Sequence, residues 1–278
     1  MQRGNHRENL QSNHAGQRDF VAAIFDMDGV VTQTAAVHSR AWKRMFDEFL
    51  RSREATHRVP FREFTHDADY LVHVDGRPRS KGVESFLQSR GIVLPPGSPR
   101  DPAGCETVCG LGNRKNALFN EMIEREGAGV YDSTVAFIQK LRASGIRVGL
   151  ATSSRNSATI LGKTHTASLF ATVVDGVVSA QLGLKGKPAP DIFVVAAANL
   201  GVPAGRAIVV EDAVTGVQAG ARGGFALVVG IARENNAGEL RDHGADVVVR
   251  DLAETSLEKI NRLIRHKRAS ACSHSASG

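Results

Sequence analysis

The fold is decided by Phe20-Val-Ala-Ala-Ile-Phe-Asp-Met-Asp-Gly29, in which six apolar residues lead directly into two carboxylates and a glycine. A continuous apolar run of this kind is typical of a strand buried on both faces in a parallel sheet. Gly29 permits a sharp turn of the backbone after the strand. The segment therefore predicts a first strand over residues 20–25, with Asp26 and Asp28 at its carboxyl end.

Similar apolar runs recur along the chain and alternate with helical patterns. The runs cover residues 148–151, 172–174, 207–210, 226–230 and 246–249. The clearest helical patterns between them cover 132–144, 191–200 and 214–222. This alternation predicts an α/β fold with a doubly wound, Rossmann-like parallel sheet.

The segment after the first strand breaks the alternation, because it is chiefly helical as far as residue 129. Helical patterns cover 37–50, 83–89 and 115–126, with a Pro/Gly-rich interruption at 94–104. We predict a discontinuous core domain (19–33 and 130–264) with a helical domain (34–129) inserted above the carboxyl ends of the strands. In open α/β sheets, ligands bind at that edge.

Polar side chains follow several of the predicted strands. Thr152 and Ser153 end one strand, Glu211 and Asp212 end another, and Lys187 precedes a proline-fixed helix start. Taken singly, the hydroxyl residues could be helix caps and the lysine a solvated surface charge. Four carboxylates meeting at one edge would repel one another unless a hard divalent cation lay between them.

Charge and composition exclude several classes of function. The net charge of +6 lies in two terminal segments, since residues 1–18 carry +2, residues 262–278 carry +4 and the remainder is neutral. We predict disordered basic tails over 1–18 and 265–278 and expect no nucleic-acid partner, because aromatic side chains for base stacking are missing there. The three cysteines are expected to be reduced thiols. Without an apolar stretch of about 18 residues or a secretory signal, we expect a cytoplasmic protein and no membrane partner.

The order of these motifs resembles the haloacid dehalogenase (HAD) superfamily, and within it the β-phosphoglucomutase-like group. The resemblance covers residues 19–255 and extends to four long strings. They are Phe25-Asp-Met-Asp-Gly-Val-Val-Thr32, Arg40-Ala-Trp-Lys43, Lys187-Pro-Ala-Pro-Asp-Ile-Phe193 and Glu211-Asp-Ala-Val-Thr-Gly-Val-Gln-Ala-Gly220.

The resemblance implies a mechanism for the core. Asp26 would be the nucleophile that forms an aspartyl phosphate, and Asp28 the general acid and base. Thr152, Ser153 and Lys187 would bind the transferring phosphoryl group. The implied cofactor is Mg²⁺, with the metal-site residues Asp26, Asp28, Glu211 and Asp212.

For the inserted domain, the resemblance implies a mobile cap that excludes water and selects the substrate. Thr34 would lie at its hinge, and His38 would couple closure to Asp28. Arg79 and Lys115 would grip the sugar and its second phosphate, with Arg77 as an alternative to Arg79. The chain departs from the family pattern at Gln33, where an acidic residue is common, and in a longer cap.

Three hypotheses of function follow. The first is a β-phosphoglucomutase, which converts β-glucose 1-phosphate to glucose 6-phosphate. The second is a phosphatase that hydrolyses a sugar phosphate or a similar metabolite. The third is a non-catalytic scaffold that binds phosphorylated ligands. We favour the first, with a small phosphorylated sugar as substrate and a monomeric protein.

Overall fold

The computed structural model describes residues 18–275, whose centre is a six-stranded parallel sheet. Its strands are β1 (Ala22–Phe25), β2 (Arg147–Ala151), β3 (Thr172–Val174), β4 (Ala207–Glu211), β5 (Leu227–Ile231) and β6 (Val247–Val249). The strand order is β3-β2-β1-β4-β5-β6, so β1 lies between β2 and β4. The predicted α/β fold is confirmed, and every predicted strand forms.

The register brings the polar strand ends to one edge. Phe25 of β1 pairs with Leu150 of β2 and with Val210 of β4. The next residues of all three strands therefore leave the sheet side by side. All four residues of β1 are fully buried, as the continuous apolar run predicts.

Helices surround the sheet and fill the insertion. They are α1 (Ala35–His57), α2 (Leu71–His73), α3 (Arg79–Ser89), α4 (Val108–Glu126), α5 (Asp132–Ala143), α6 (Ser157–Lys163), α7 (Gly176–Gln181), α8 (Asp191–Asn199), α9 (Val214–Arg222), α10 (Ala237–Asp242) and α11 (Leu257–Ser275). A π-helical turn, His66–Tyr70, leads into α2. The helices α6, α7, α10 and α11 were not predicted, because three of them have only six or seven residues and the fourth is mostly polar.

The insertion between β1 and α5, predicted as the cap (34–129), contains a cluster of packed aromatic rings. The ring of Phe46 on α1 lies 5.1 Å from that of Phe64 and 4.1 Å from that of Phe86 on α3. Trp42 stacks on Phe46 with the ring centroids 5.4 Å apart. All four side chains are buried. These contacts make α1 and α3 parts of one packed unit.

The two chain crossings into and out of the insertion run side by side. The backbone N–H of Gln33 donates to the carbonyl of Gly129 at 2.9 Å, and that of Tyr131 donates to the carbonyl of Val31 at 3.0 Å. The Gln33 side chain donates to the carbonyl of Val130 at 2.9 Å. Gln33 is the position where the family pattern favours an acid, and here its amide links the two crossings.

The C-terminal segment differs from the prediction, since α11 continues to Ser275 through the segment predicted to be disordered from residue 265. Its basic residues pair with core carboxylates. Lys267 Nζ lies 2.7 Å from Asp246 Oδ2, and Arg268 Nη1 lies 3.2 Å from Asp19 Oδ1. The predicted N-terminal tail, except for residue 18, lies outside the described residues. Within residues 18–275, no helix is long and apolar enough to cross a bilayer.

Candidate active site

Asp26 and Lys187 form a buried ion pair at the centre of the sheet edge. The backbone N–H of Asp26 still belongs to the sheet and donates to the carbonyl of Val210 at 3.0 Å. Lys187 Nζ donates to Asp26 Oδ1 and to Glu211 Oε1, both at 2.5 Å. Burial alone would lower the pKa of Lys187, but the two carboxylates outweigh it and raise that pKa. The lysine therefore stays charged and links β1 to β4.

Glu211 is fixed in place by backbone contacts at the end of β4. Its Oε2 accepts hydrogen bonds from the N–H groups of Asp212 at 2.6 Å and Ala213 at 2.7 Å. Gly216 on α9 leaves the room that this carboxylate needs, since a Cβ there would lie 1.7 Å from Glu211 Oε1. Glu211 thus orients Lys187 and closes the turn before α9.

Asp212 reaches the Asp26–Gly29 loop. A Cβ on Gly29 would lie 1.8 Å from Asp212 Oδ2, and Gly29 adopts a φ of 85°. Burial raises the pKa of Asp212, and the carboxylates of Glu211 and Asp75 raise it further. The pKa of Asp26 is raised by burial and by Glu211 and Asp28, against the effect of Lys187. Two buried carboxylates in mutual repulsion lie where a cation would relieve them.

The carboxylate oxygens at this edge are ligands that suit Mg²⁺, but the protein side chains do not surround a metal ion by themselves. Mg²⁺ prefers oxygen ligands, keeps several waters and needs only one or two carboxylates. Asp26 and Asp212 meet that need. Among residues 18–275, no three His, Cys, Asp or Glu side chains are arranged to enclose a metal ion by themselves. The site is therefore suited to a partly hydrated cation.

Asp28 turns away from Lys187 and contacts the first residues of the insertion. Its Oδ1 accepts a short hydrogen bond from Thr34 Oγ1 and lies 3.4 Å from His38 Nε2. Thr34 is held in turn by Thr32, whose hydroxyl is 2.6 Å away. Burial would raise the pKa of Asp28, but the contacts with His38 and Thr34 outweigh it and lower that pKa. Asp28 is thus linked to the hinge predicted at Thr34.

Lys115 lies behind His38. Its Nζ is 2.5 Å from His38 Nδ1, and it lies 4.8 Å from the ring centroid of Phe119. Burial and the Lys115 charge lower the pKa of His38. A neutral ring accepts from Lys115 at Nδ1 and presents its Nε2–H to Asp28. Lys115 was predicted to grip the substrate; in the structure it lines the pocket and contacts His38.

The predicted phosphate-binding hydroxyls differ in their surroundings. Thr152 is buried at the end of β2, where its Oγ1 accepts from the N–H of Ser154 at 3.1 Å. Ser153 Oγ instead donates to the carbonyl of Gly76 in the insertion at 2.9 Å. The Ser153 side chain therefore links core and insertion, a contact that the sequence did not indicate.

Arg79, Arg155 and Asn156 form a cationic and amide group in the pocket lining, of which only Arg79 was predicted from the sequence. Arg79 Nη2 donates to Asn116 Oδ1 at 2.7 Å, and Asn156 Nδ2 donates to the same oxygen at 2.9 Å. Burial and the charge of Arg155 lower the pKa of Arg79 to about 10. Arg155 and Asn156 directly follow Thr152-Ser-Ser154. This position after the end of β2 could have indicated that they line the pocket.

Asp75 is a second residue that the sequence analysis missed. It comes from the insertion, immediately before Gly76, and lines the pocket with the core carboxylates. Burial and Glu211 raise its pKa to about 7, against a hydrogen bond with Tyr70 that lowers it. Its backbone carbonyl accepts from Thr215 Oγ1 at 3.1 Å.

One cavity of about 80 Å³ brings most of these groups together. Of the residues predicted from the sequence, those that line it are Asp26, Asp28, His38, Arg79, Lys115, Thr152, Ser153, Lys187, Glu211 and Asp212. Arg77, the predicted alternative to Arg79, lines it as well. Thr34 reaches it only through its hydrogen bond to Asp28. The cavity lies between the sheet edge and the insertion.

Known proteins share this sequence and fold. The haloacid dehalogenase-like hydrolase family matches residues 20–224. A β-phosphoglucomutase of Mycobacterium tuberculosis is 47% identical over 236 residues, which cover 84% of this chain and 90% of that protein. A β-phosphoglucomutase of Bacillus subtilis is 31% identical, with 86% and 93% covered.

Among solved structures, a β-phosphoglucomutase of Clostridium difficile has the same fold. It superimposes with a TM-score of 0.68 at 22% identity, and the match covers 90% of this chain and 99% of that one. The predicted family is confirmed by the sequence matches, and the fold by this structure. The chain belongs to the haloacid dehalogenase-like hydrolases and is an enzyme of that family.

Proposed function

We propose that the protein is a Mg²⁺-dependent β-phosphoglucomutase, which converts β-glucose 1-phosphate to glucose 6-phosphate through an aspartyl phosphate. The observation that carries this proposal is the arrangement of Asp26, Lys187 and Glu211, with Lys187 Nζ 2.5 Å from each carboxylate. Phosphoryl transfer depends mainly on positioning and on neutralising charge, and this arrangement supports both.

In the proposed reaction, Asp26 attacks phosphorus and Asp28 acts as the general acid and base. The Asp26 carboxylate forms a bond to phosphorus as the bond to the leaving oxygen breaks, and Asp28 protonates that oxygen. Asp28 then deprotonates the sugar hydroxyl that attacks the aspartyl phosphate. The contacts of Asp28 with Thr34 and His38 support this role, because they hold its carboxylate at the start of the cap.

Lys187 and Thr152 would bind the oxygens of the transferring phosphoryl group. Mg²⁺ would be held by Asp26, the Asp28 backbone carbonyl and Asp212, with Glu211 in support, and would neutralise charge on the phosphoryl oxygens. The raised pKa of Asp212 and its approach to Gly29 support a cation there. Ser153, bonded to Gly76, would act on closure of the cap rather than on phosphate.

In the proposed mutase reaction the sugar is bisphosphorylated midway, so the enzyme must also hold the phosphate that is not transferred. Arg79, Arg155 and Asn156 line the same cavity as the nucleophile, and Asn116 accepts hydrogen bonds from Arg79 and Asn156. Arginine suits this task because its planar fork matches phosphate oxygens. Lys115 would position His38 and Asp28 instead of gripping the sugar. As part of the same proposal, the enzyme acts as a monomer in the cytoplasm.

The sequence relatives support the mutase reaction, since the M. tuberculosis and B. subtilis proteins both carry that name. The family name also makes a phosphatase the second candidate. In that reaction water, rather than a sugar hydroxyl, would attack the aspartyl phosphate.

Incubation with β-glucose 1-phosphate and Mg²⁺, followed by ³¹P NMR, separates the candidates. We expect glucose 6-phosphate, and free phosphate without the isomer would favour the phosphatase. Asp26→Asn should abolish either reaction, because an amide cannot serve as the nucleophile. Unchanged turnover in that variant would support the non-catalytic scaffold and contradict the proposal. Removal of Mg²⁺ with a chelator should have the same effect as Asp26→Asn.

A further inference from the structure

A second, larger cleft adjoins the active pocket. Its volume is about 620 Å³, against about 80 Å³ for the pocket, and it lies between α3 and α4 of the insertion and residues 176–188 of the core. The two cavities share Arg77, Arg79, Ser153, Arg155 and Lys187. A volume of this order is typical of sites for small molecules.

The charge of the cleft has one sign. Its described lining includes no aspartate or glutamate, and its cations are Arg77, Arg79, Lys81, Arg155, Lys185 and Lys187. Lys187 is neutralised by Asp26 and Glu211, and Lys81 pairs with Glu84 at 2.7 Å. The other four cations form no ion pair with any described residue.

More positive charge is present than one bound phosphate needs. A phosphate held by Arg79 and Arg155 in the active pocket would leave Arg77 and Lys185 without an acidic partner. Arg77 comes from the insertion and Lys185 from the core, so the remaining charge lies on both walls of the cleft.

Two buried polar atoms of the lining also lack partners. Within residues 18–275, Arg77 Nε and Ser179 Oγ are screened from solvent and make no hydrogen bond. Buried donors are normally satisfied, so each such exception calls for an explanation. A ligand with oxygen acceptors would satisfy both atoms once the groups that cover them move aside.

The cleft has apolar walls in addition to its positively charged residues. Pro78, Pro99, Val108, Leu184 and Ile192 contribute to its walls. The insertion and core meet closely here, since a Cβ on Gly186 would lie 2.1 Å from Pro78 Cγ. A ligand in the cleft would therefore bridge two parts of the chain immediately beside Lys187.

We propose that this cleft is a second binding site, for a phosphate ester of the size of a hexose phosphate, occupied at the same time as the active pocket. Its phosphate binds Arg77 and Lys185, and Ser179 donates to one of its oxygens. By bridging insertion and core, the ligand stabilises the closed arrangement.

The test counts bound molecules on a full-length Asp26→Asn chain, which cannot turn the probe over. Equilibrium dialysis with radiolabelled glucose 6-phosphate and Mg²⁺ should give two molecules per chain. Adding Lys185→Glu should weaken the binding of the second molecule about tenfold or more, as loss of a charged phosphate contact does. Lys140→Glu, a matched reversal of an exposed lysine on α5, should change nothing. One molecule per chain, or two molecules that Lys185→Glu leaves unaffected, would overturn the proposal.

Cys109 provides an independent readout, because it lines the cleft and is a free thiol. With Cys105 and Cys272 replaced by serine, glucose 6-phosphate should slow alkylation of Cys109 by iodoacetamide. The slowing should be lost in Lys185→Glu. Equal slowing in both chains would show that the probe acts only from the active pocket, and an unchanged rate in both would show an empty cleft. Either result counts against the second site, whatever the outcome of the mutase assay.

Discussion

At the scale of single residues, two glycines set how closely the carboxylates of the site can approach. Gly29 admits Asp212 and Gly216 admits Glu211, each at a distance that any side chain would block. Gly29 also adopts a positive φ, so it meets a backbone requirement and a steric one together. The position of Asp212 against the Asp26–Gly29 loop depends on this single missing Cβ.

We therefore predict that Gly29→Ala lowers kcat/KM about a hundredfold, since a catalytic group displaced by about 1 Å costs that much. The backbone strain should also cost about 1–2 kcal/mol of stability. Gly91→Ala is the matched control, because Gly91 has a φ of 65° but nothing within 4 Å of its would-be Cβ. The Gly91→Ala variant should lose the same free energy of unfolding through backbone strain and keep the kcat/KM of the wild type. Wild-type kcat/KM in Gly29→Ala would contradict this account.

The core site residues other than Lys187 could be predicted because each follows a strand, and strand ends of a parallel sheet meet at one edge. The contacts of Ser153 and Lys115 could not. Ser153 bonds to Gly76 and Lys115 to His38, and both contacts depend on how the insertion lies on the core. Asp75 was missed for the same reason, since its local sequence does not indicate that it faces Glu211.

At the scale of elements, a largely buried ion pair joins the end of α3 to the π-helical turn of the insertion. Arg90, which follows α3, lies with Nη2 2.9 Å from both carboxylate oxygens of Asp69 in the π-helical turn. Asp69 Oδ2 also accepts from the N–H of Thr65 at 2.8 Å. Burial would raise the pKa of Asp69, but these hydrogen bonds outweigh it and lower that pKa.

A lowered pKa in the folded state means that the ionised Asp69 contributes stability above its unfolded pKa of about 4. Asp69→Asn should therefore lower the free energy of unfolding at pH 7 by about 2–4 kcal/mol. The difference from wild type should shrink as the pH falls through the folded pKa, below 3.8. Urea denaturation between pH 7 and 3 measures it, with exposed Asp67→Asn as control. A difference independent of pH would exclude the ion pair as the cause.

Strand positions and the longer helices of the core could be predicted at this scale because apolar periodicity marks them. Helices α6, α7 and α10 could not, because six or seven residues carry too little periodicity. The helical end of α11 was predicted as a disordered tail, because Lys267 and Arg268 pair with carboxylates that only the folded core brings near them.

At the scale of the whole molecule, one loop of the insertion (75–79) makes two of the polar contacts that join the insertion to the core. Thr215 Oγ1 donates to the carbonyl of Asp75 at 3.1 Å, and Ser153 Oγ to that of Gly76 at 2.9 Å. Both contacts lie on the same loop, which also carries Arg77 and Arg79 into the cavities. This loop therefore takes part both in the contact with the core and in the lining of the cavities.

Thr215→Val should weaken closure without loosening either part, because the substitution removes the hydroxyl and keeps the shape. A lost hydrogen bond of about 1 kcal/mol should raise KM about threefold to tenfold and leave the free energy of unfolding within about 1 kcal/mol of wild type. Thr164→Val is the control, since that hydroxyl bonds to Ile160 within its own segment. Similar KM values for the two variants would exclude a role of Thr215 in closure.

The paired crossings at Gln33 and Tyr131 have a consequence for engineering. The chain leaves the core at residue 33 and returns at residue 130, and hydrogen bonds join these two places. A short turn joining residues 33 and 130 would span that gap, so we expect the insertion (34–129) to be exchangeable as one piece. Chimeras that carry the insertion of a relative on this core should fold, and their substrate preference should follow that of the relative.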